Sequence, residues 1–279
     1  MIAAEVAPAP SRTRRPTVTF KLLVRRGADV PSTLDLTDAV RYATDRIATR
    51  NGALLVGAYV LVQLVVQVTT QSLAASLVGG GIPAETTERL YPLAVDVSAT
   101  VSGGLTLLFV LAGTVLAILT MRAFHRDIDR FPTAAHTRRL VRTLVVALVV
   151  SLIVFVAITV GTVLFVIPGI FLAVSLVFAV LVVAIEDAGV VESLRRSWAL
   201  TSGNRLRLFL LGVAFVVVSG VVGGLTNVAG IVAPITGGVV AAILAGAIGV
   251  FGVGLLVGAY RQLSDDDGAT GADPSATTL

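Results

Sequence analysis

Four long runs of the sequence contain no charged side chain and consist mainly of aliphatic residues. They cover residues 51–84, 97–121, 143–185 and 208–260. A helix needs about 20 apolar residues to cross a bilayer, so the first two runs each fit one crossing and the last two each fit two. Only 14% of the residues are charged, against roughly 25% in ordinary globular proteins. The sequence therefore predicts an all-α integral membrane protein with six transmembrane helices.

Each of the two longest runs contains a turn signal near its middle. In the first, Val166-Ile167-Pro168-Gly169 joins a helix breaker to a flexible residue. In the second, residues 227–234 (NVAGIVAP) contain an Asn, a Gly and a Pro. The fourth predicted span is short, so we expect it to tilt little or to begin below the membrane surface. The predicted spans are 52–74, 99–121, 143–165, 169–185, 208–228 and 237–260.

The basic residues predict how the helices are oriented. With the amino terminus inside the cell, the cytoplasmic segments are 1–51, 122–142, 186–207 and 261–279. These segments contain all of the 21 Lys and Arg residues except Arg89. Because basic residues accumulate on the cytoplasmic side of a membrane, their distribution predicts an N-in, C-in multi-pass protein of the cell membrane.

The chain divides into a membrane domain and two tails. Residues 1–34 are predicted to be a disordered basic tail, without an apolar stretch that suits a signal peptide. Attraction to an anionic inner leaflet and an overlong gene start are the alternatives for this segment. No other feature favours nucleic-acid binding, so no nucleic-acid partner is expected. The membrane domain is predicted over 35–261, with an amphipathic helix at 36–50, and a disordered acidic tail over 262–279.

A basic segment at 192–205 (ESLRRSWALTSGNR) lies between the fourth and fifth predicted spans and contains the only Trp of the chain. On a helical grid its apolar and charged residues fall on opposite faces, which predicts a second cytoplasmic amphipathic helix in the headgroup plane. In the simpler interpretation, the arginines only set the topology and the Trp only anchors the helix. In the other, the segment binds anionic lipid headgroups or a protein partner through Arg195, Arg196, Trp198 and Arg205.

The order of motifs around this segment resembles a known family. Ile167-Pro168-Gly169-Ile170 is followed by an apolar helix, the acidic Glu186, ESLRRSW at 192–198 and TSGN at 201–204. This order is similar to the six-span membrane domain of some glycerophosphoryl diester phosphodiesterases and of stand-alone bacterial and archaeal membrane proteins of unknown function. The catalytic barrel of those enzymes is absent from this sequence. The resemblance therefore implies a fold and a membrane location, not hydrolysis.

The end of the sequence bears on the source of the protein. Residues 264–279 (SDDDGATGADPSATTL) are rich in Asp, Ala and Thr and resemble the termini of halophilic archaeal proteins. The net charge of +4 at pH 7 is opposed to that reading, because such proteins are usually acidic. An archaeal source is an expectation from this resemblance alone.

Residues suited to catalysis are few. The chain has no cysteine and two histidines, His125 and His136, and the carboxylates Glu186 and Asp187 have no adjacent His or Ser. His125 and Asp129 stand one helical turn apart and could hold a metal together with His136. The simpler interpretation is a solvated loop whose acids offset its arginines. We therefore expect no catalytic site, no metal and no cofactor.

Polar and small residues inside the predicted spans suggest how the helices pack. Three glutamines of the first span share one face at i, i+4, i+8 spacing: Gln63, Gln67 and Gln71. An amide that faces lipid is costly, so this stripe is predicted to face the bundle interior. It either forms interhelical hydrogen bonds or lines a path for a neutral polar solute. Two GxxxG pairs would allow close packing or a dimer, and these are Gly220/Gly224 and Gly254/Gly258.

Together these features favour a non-enzymatic membrane protein that interacts with lipid or a partner, as a scaffold or accessory protein. A permease-like transporter of a neutral polar solute, using the glutamine stripe, is the alternative. A polar cavity containing the stripe would favour transport, whereas a bundle sealed by packed glycines would favour a scaffold. Whether the protein binds a protein partner or forms a homo-oligomer stays open.

Overall fold

A computed structural model describes the protein over residues 34–126 and 139–270. The regular structure of these residues is entirely helical. Its elements are α1 (Leu36–Ile47), α2 (Arg50–Val78), α3 (Ala84–Leu90), α4 (Ala99–His125), α5 (Leu140–Leu164), α6 (Val166–Ser175), α7 (Ala179–Glu186), α8 (Val190–Thr201), α9 (Arg205–Val232) and α10 (Pro234–Thr270). The predicted basic tail lies outside the described residues, apart from Leu34.

The predicted fold class is confirmed. Six helical segments are long and apolar enough to cross a membrane, and each contains or closely matches one predicted span. The fourth of them differs from the prediction, because it consists of two short helices, α6 and α7, separated by residues 176–178. The six segments are Arg50–Val78, Ala99–His125, Leu140–Leu164, Val166–Glu186, Arg205–Gly230 and Ile235–Asp265.

The two ends of the helical bundle differ in charge. One end, which we call the basic end, carries α1, α8 and every arginine of the described residues except Arg89. The opposite end, which we call the hairpin end, carries α3 and the turn that joins α9 to α10. The segregation agrees with the distribution of basic residues along the sequence.

The turn that joins α5 to α6 is the single non-helical residue Phe165, and the turn that joins α9 to α10 is the single non-helical residue Ala233. Helices joined so tightly must approach closely, and glycines allow it. A Cβ atom on Gly161 would lie 3.1 Å from the Cα of Gly169, and one on Gly237 would lie 2.6 Å from the Cα of Gly230. The observed turns are therefore shorter than the predicted turn segments. Val166 to Gly169, predicted as a turn, form the first turn of α6, where a proline is tolerated.

The amphipathic helix α1 lies along the second half of α10. The side chain of Asp35 caps it by accepting hydrogen bonds from the first-turn backbone amides. Its buried residues Ala39 and Ala43 face α10, where a Cβ atom on Gly254 would come within 3.1 Å of Ala43. The helix α10 itself continues to Thr270, past the predicted start of the acidic tail. At the predicted start of that tail, the Gln262 side chain accepts a hydrogen bond from the amide of Asp35, the residue that caps α1, at 2.8 Å.

The short helix α7 is the centre of the core. Phe178, Leu181, Val182 and their neighbours are almost completely buried between α4, α5 and α8. An apolar helix that is covered on all sides belongs in an interior. The outer spans α5 and α9, by contrast, expose long rows of Val, Leu and Phe, as helices that face lipid do.

Glycines of α10 set its distance from the neighbouring helices. A Cβ atom on Gly246 would lie 2.7 Å from a methyl group of Val60 in α2, and one on Gly252 would lie 2.8 Å from Phe215 in α9. Such small residues let membrane helices approach closely. Of the two GxxxG pairs, Gly254/Gly258 packs on α1, whereas Gly220/Gly224 has no described atom within 4 Å of where its Cβ atoms would lie.

Candidate functional site

Two hydroxyl groups of α8 bind the break in the fourth span. Ser197 Oγ donates to the carbonyl of Ser175 at 3.0 Å and accepts from the N–H of Phe178 at 3.2 Å. Thr201 Oγ1 approaches the same carbonyl at 3.4 Å. Backbone groups that a broken helix leaves free inside a membrane protein need partners from the protein itself. The hydroxyl groups of α8 therefore allow the span to break at residues 176–178.

The buried face of α8 carries hydroxyl groups, whereas the sequence analysis divided this helix into an apolar face and a charged face. Ser193, Ser197 and Thr201 follow one another at i, i+4, i+8 and are fully buried. The apolar residues Val191 and Trp198 are 78% and 42% exposed. The helix α8 thus packs on the protein through small hydroxyl side chains together with Leu200, and Val191 and the exposed part of Trp198 are free to contact lipid.

Arg205, the first residue of α9, lies across two aromatic rings. Its Cζ atom is 4.7 Å from the ring centroid of Trp198 and 4.7 Å from that of Phe171. The two rings meet edge to face, with centroids 5.4 Å apart. Attraction between a guanidinium and an aromatic ring is worth about 0.5–1 kcal/mol at exposed sites. The rings therefore hold the guanidinium in a defined position.

Within the described part of the chain, no nearby acid balances the charge of Arg205. No carboxylate pairs with it among the described residues, and its buried Nε has no hydrogen-bond partner there. Arg195, one helical turn from Trp198, is exposed and likewise unpaired within the described part of the chain. Arg196 instead points to the other side of α8, where its Nε lies 3.7 Å from Glu186 Oε1. The fold thus brings Trp198 and Arg205 together, and leaves Arg195 beside them.

An apolar groove of about 340 Å³ runs between α6 and α9. All of its lining side chains are apolar, and they include Ile170, Val174 and Val177 on one side and Leu208, Phe209 and Gly212 on the other. Arg205 precedes Leu208 and Phe209 by one turn of α9, and Phe171 follows Ile170 in α6. The groove and the ring-bound guanidinium are therefore contiguous.

A buried ion pair ties three helices together at the basic end. The side chain of Arg122, in α4, is only 2% exposed and contacts Asp187 Oδ1 at 2.7 Å. Its guanidinium also donates to Thr143 Oγ1 of α5 at 2.9 Å and to the carbonyl of Ala184 in α7 at 2.6 Å. In the sequence, Arg122 is one of many basic residues. In the structure, it is part of the core.

A second polar cluster surrounds Glu186. The hydroxyl of Tyr260, in α10, donates to Glu186 Oε1, and its ring packs edge-on against His125 at a centroid distance of 5.8 Å. The fold therefore places His125 near Glu186 through their shared contact with Tyr260, although the two residues are far apart in the sequence. Among the described residues no three acidic or histidine side chains could hold a metal ion. Asp129 and His136 lie outside the described residues.

A polar cavity of about 700 Å³ opens at the hairpin end, between α2, the residues after α3 and the turn joining α9 to α10. Gln67, Gln71, Arg89 and Asn227 are among its lining residues. Gln71 Oε1 accepts a hydrogen bond from the Leu93 amide at 3.0 Å, which ties the loop to α2. The third glutamine of the stripe, Gln63, is exposed and is not part of the lining.

The fold and these sites define a class of protein: an α-helical, multi-pass membrane protein with six spans and two amphipathic helices at its basic end. The chain belongs to the family described as domain of unknown function DUF7847, whose model matches residues 34–263. That range includes the first five spans, α8 and all of the sixth span except its last two residues. No curated protein and no solved structure matches the chain. The resemblance to the phosphodiesterase membrane domain and the archaeal source remain predictions.

Proposed function

We propose that this protein is a non-enzymatic, N-in, C-in protein of the cell membrane that binds anionic lipid headgroups at its cytoplasmic, basic end. The observation that carries the proposal is Arg205, which two aromatic rings hold in place and which no acid among the described residues neutralises. Arg195 adds a second charge, one turn from Trp198, that has no partner in the described part of the chain. Each basic residue near an anionic membrane surface contributes about 1 kcal/mol of attraction. Two such charges beside an exposed Trp suit a lipid headgroup.

The proposal also accounts for the arrangement of buried and exposed side chains on α8. Its hydroxyl face is committed to the broken span, so its exposed Trp198 and Arg195 are the groups left for a ligand. Trp is enriched at the membrane–water interface, where its ring and N–H contact apolar and polar surroundings together. A scaffold or accessory role would then depend on which lipids recruit or stabilise the protein.

The test uses Trp198, the only Trp of the chain, as the reporter. Protein in nanodiscs of phosphatidylglycerol or phosphatidylcholine is compared with the Arg205→Gln variant, using lipids brominated near the glycerol to quench emission. We expect stronger quenching by the brominated anionic lipid in the parent protein, and a loss of that preference in the variant. Added salt should also weaken the preference.

A matched control removes a charge elsewhere at the same end. Arg41 of α1 is exposed and lies 4.0 Å from Asp45, one turn along the helix. Because surface pairs of this kind contribute little, Arg41→Gln should leave the lipid preference of Trp198 unchanged. Equal quenching of the parent and Arg205→Gln by both lipids would contradict the proposal.

Permease-like transport is the second candidate, and the cavity at the hairpin end is the observation that favours it. Gln67, Gln71 and Asn227 offer amide donors and acceptors to a neutral polar solute. Deeper in the bundle, however, Gly246 packs on Val60 so tightly that no side chain would fit. The cavity is therefore a vestibule above a closely packed layer, which supports a scaffold more than a continuous path.

Substitution of Gln67 separates these two roles. Uptake of glycerol and urea into proteoliposomes is measured by light scattering, together with the melting temperature of the protein in detergent. If the amides line a path, Gln67→Leu should abolish uptake with little loss of stability. If they pack the bundle, the same change should lower the melting temperature, and uptake should equal that of protein-free vesicles throughout.

A further inference from the structure

We infer that the groove between α6 and α9 holds one acyl chain of an anionic phospholipid whose phosphate binds Arg205. The inference rests on the proposed function and narrows it, from a charged surface to a site for a single lipid molecule. It joins two features that the sequence did not connect: the ring-bound guanidinium and the apolar groove beside it.

The groove has the polarity and the length of an acyl chain. From Leu208 to Val217 it follows α9 for about 14 Å at the rise of an α-helix. That length is close to half of the ~30 Å hydrocarbon core, which is the depth that the chain of one leaflet reaches. An unfilled groove would cost its lining side chains their dispersion contacts. A flexible chain can fill such a narrow space, and the groove lies within two membrane spans, where acyl chains are the surrounding solvent.

The charge at one end of the groove selects the headgroup. A guanidinium binds phosphate through two parallel hydrogen bonds, and Arg205 has a buried Nε without a partner among the described residues. Arg195 is exposed and precedes Trp198 by three residues in α8, a spacing at which two side chains are neighbours on a helix surface. A second positive charge there repels the ammonium group of a zwitterionic lipid. The site is therefore expected to prefer phosphatidylglycerol to phosphatidylcholine.

The groove offers a position where its volume can be reduced without disturbing the fold. Apart from the nearby backbone of its own helix, no described atom lies within 4 Å of where a Cβ atom on Gly212 would be, so Gly212→Leu introduces its side chain into open space and fills the groove. Gly220, on the same helix, is equally open but is not part of the lining. Gly220→Leu is therefore the matched control. Ala173→Leu fills the groove from the opposite wall and serves if Gly212→Leu does not fold.

The experiment measures lipid retained by native mass spectrometry, after each protein is exchanged into equal mixtures of phosphatidylglycerol and phosphatidylcholine. We expect the parent and Gly220→Leu to retain one phosphatidylglycerol molecule. A chain that loses its many weak groove contacts should dissociate readily, so retention should fall about tenfold in Gly212→Leu. Arg205→Gln should retain both lipids equally. Circular dichroism and gel filtration confirm that each variant is folded.

The other outcomes separate the two proposals. If Arg205→Gln loses the anionic preference while Gly212→Leu retains lipid as Gly220→Leu does, the headgroup surface stands and the groove site is refuted. If the parent protein retains phosphatidylglycerol and phosphatidylcholine equally and Gly212→Leu loses both, the groove holds chains without regard to headgroup, and both the anionic-lipid site and the proposed function fail. If none of the substitutions changes retention, both the site and the proposed function fail.

Discussion

Replacing Ser197 with alanine tests whether α8 stabilises the broken fourth span. Its hydroxyl makes two hydrogen bonds in a fully buried position, one to the Ser175 carbonyl and one from the Phe178 amide. Thr201 still approaches the carbonyl in the variant, so the main loss falls on the amide. A buried amide left without a partner costs about 1–3 kcal/mol, whereas an average side-chain bond between membrane helices is worth about 0.6 kcal/mol. We expect a loss of about 2 kcal/mol.

The free energy of unfolding would be measured by SDS titration in mixed micelles, with helix content followed by circular dichroism. Ser193→Ala is the control, because Ser193 is equally buried on the same helix but, among the described residues, its hydroxyl bonds only to Val190 of its own turn. The control should lose less stability than Ser197→Ala, because the hydroxyl of Ser193 bonds within its own helix and not to a backbone group of the break. If both variants lost the same stability, the hydroxyl of Ser197 would be filling space only, and our account of the break would be wrong.

Other predictions address the core, the helix packing and the topology. Arg122→Gln should cost about 3 kcal/mol in the same titration, the lower part of the range for a broken buried pair, because its partner carboxylate is 30% exposed; a loss below 1 kcal/mol would contradict this. Gly246→Leu should destabilise by about 1–3 kcal/mol through overpacking, whereas Gly220→Leu should not, and equal effects would refute the packing. Single cysteines in place of Ser202 and Thr87 should be shielded from and labelled by an impermeant external thiol reagent, respectively. External labelling at residue 202 would contradict the N-in, C-in orientation.

The six spans were predictable because charge and hydropathy are local properties of a sequence. A long run without charged residues indicates a membrane span whatever the helix packs against. The turn signal at Pro168 lies three residues from the observed turn, and the one at Pro234 lies one residue from it. The break at residues 176–178 was not predictable in this way. It contains neither Gly nor Pro, and what stabilises it is a pair of hydroxyl groups far along the chain. The spacing of Ser193, Ser197 and Thr201 was the available signal.

The candidate site was predictable only in part. Arg205 and Trp198 stood out as a basic residue and an aromatic residue near each other in the sequence. Phe171 did not, because it belongs to another helix and looks like any apolar residue of a span. The burial of Arg122 was equally hidden, since a sequence shows the charge of an arginine but not the carboxylate that folding brings to it.

The hydroxyl groups that serve the broken span have a consequence for how the protein is made. The Ser175 carbonyl accepts its hydrogen bond from Ser197, which is synthesised 22 residues later. At a synthesis rate of about 5–20 residues per second, this delay lasts about one to four seconds. Through that interval the Ser175 carbonyl and the Phe178 amide lack their hydrogen-bond partner from α8, and the break gains it only when α8 folds back. The fourth span is thus completed from its carboxyl-terminal side, after the ribosome has moved on to α9.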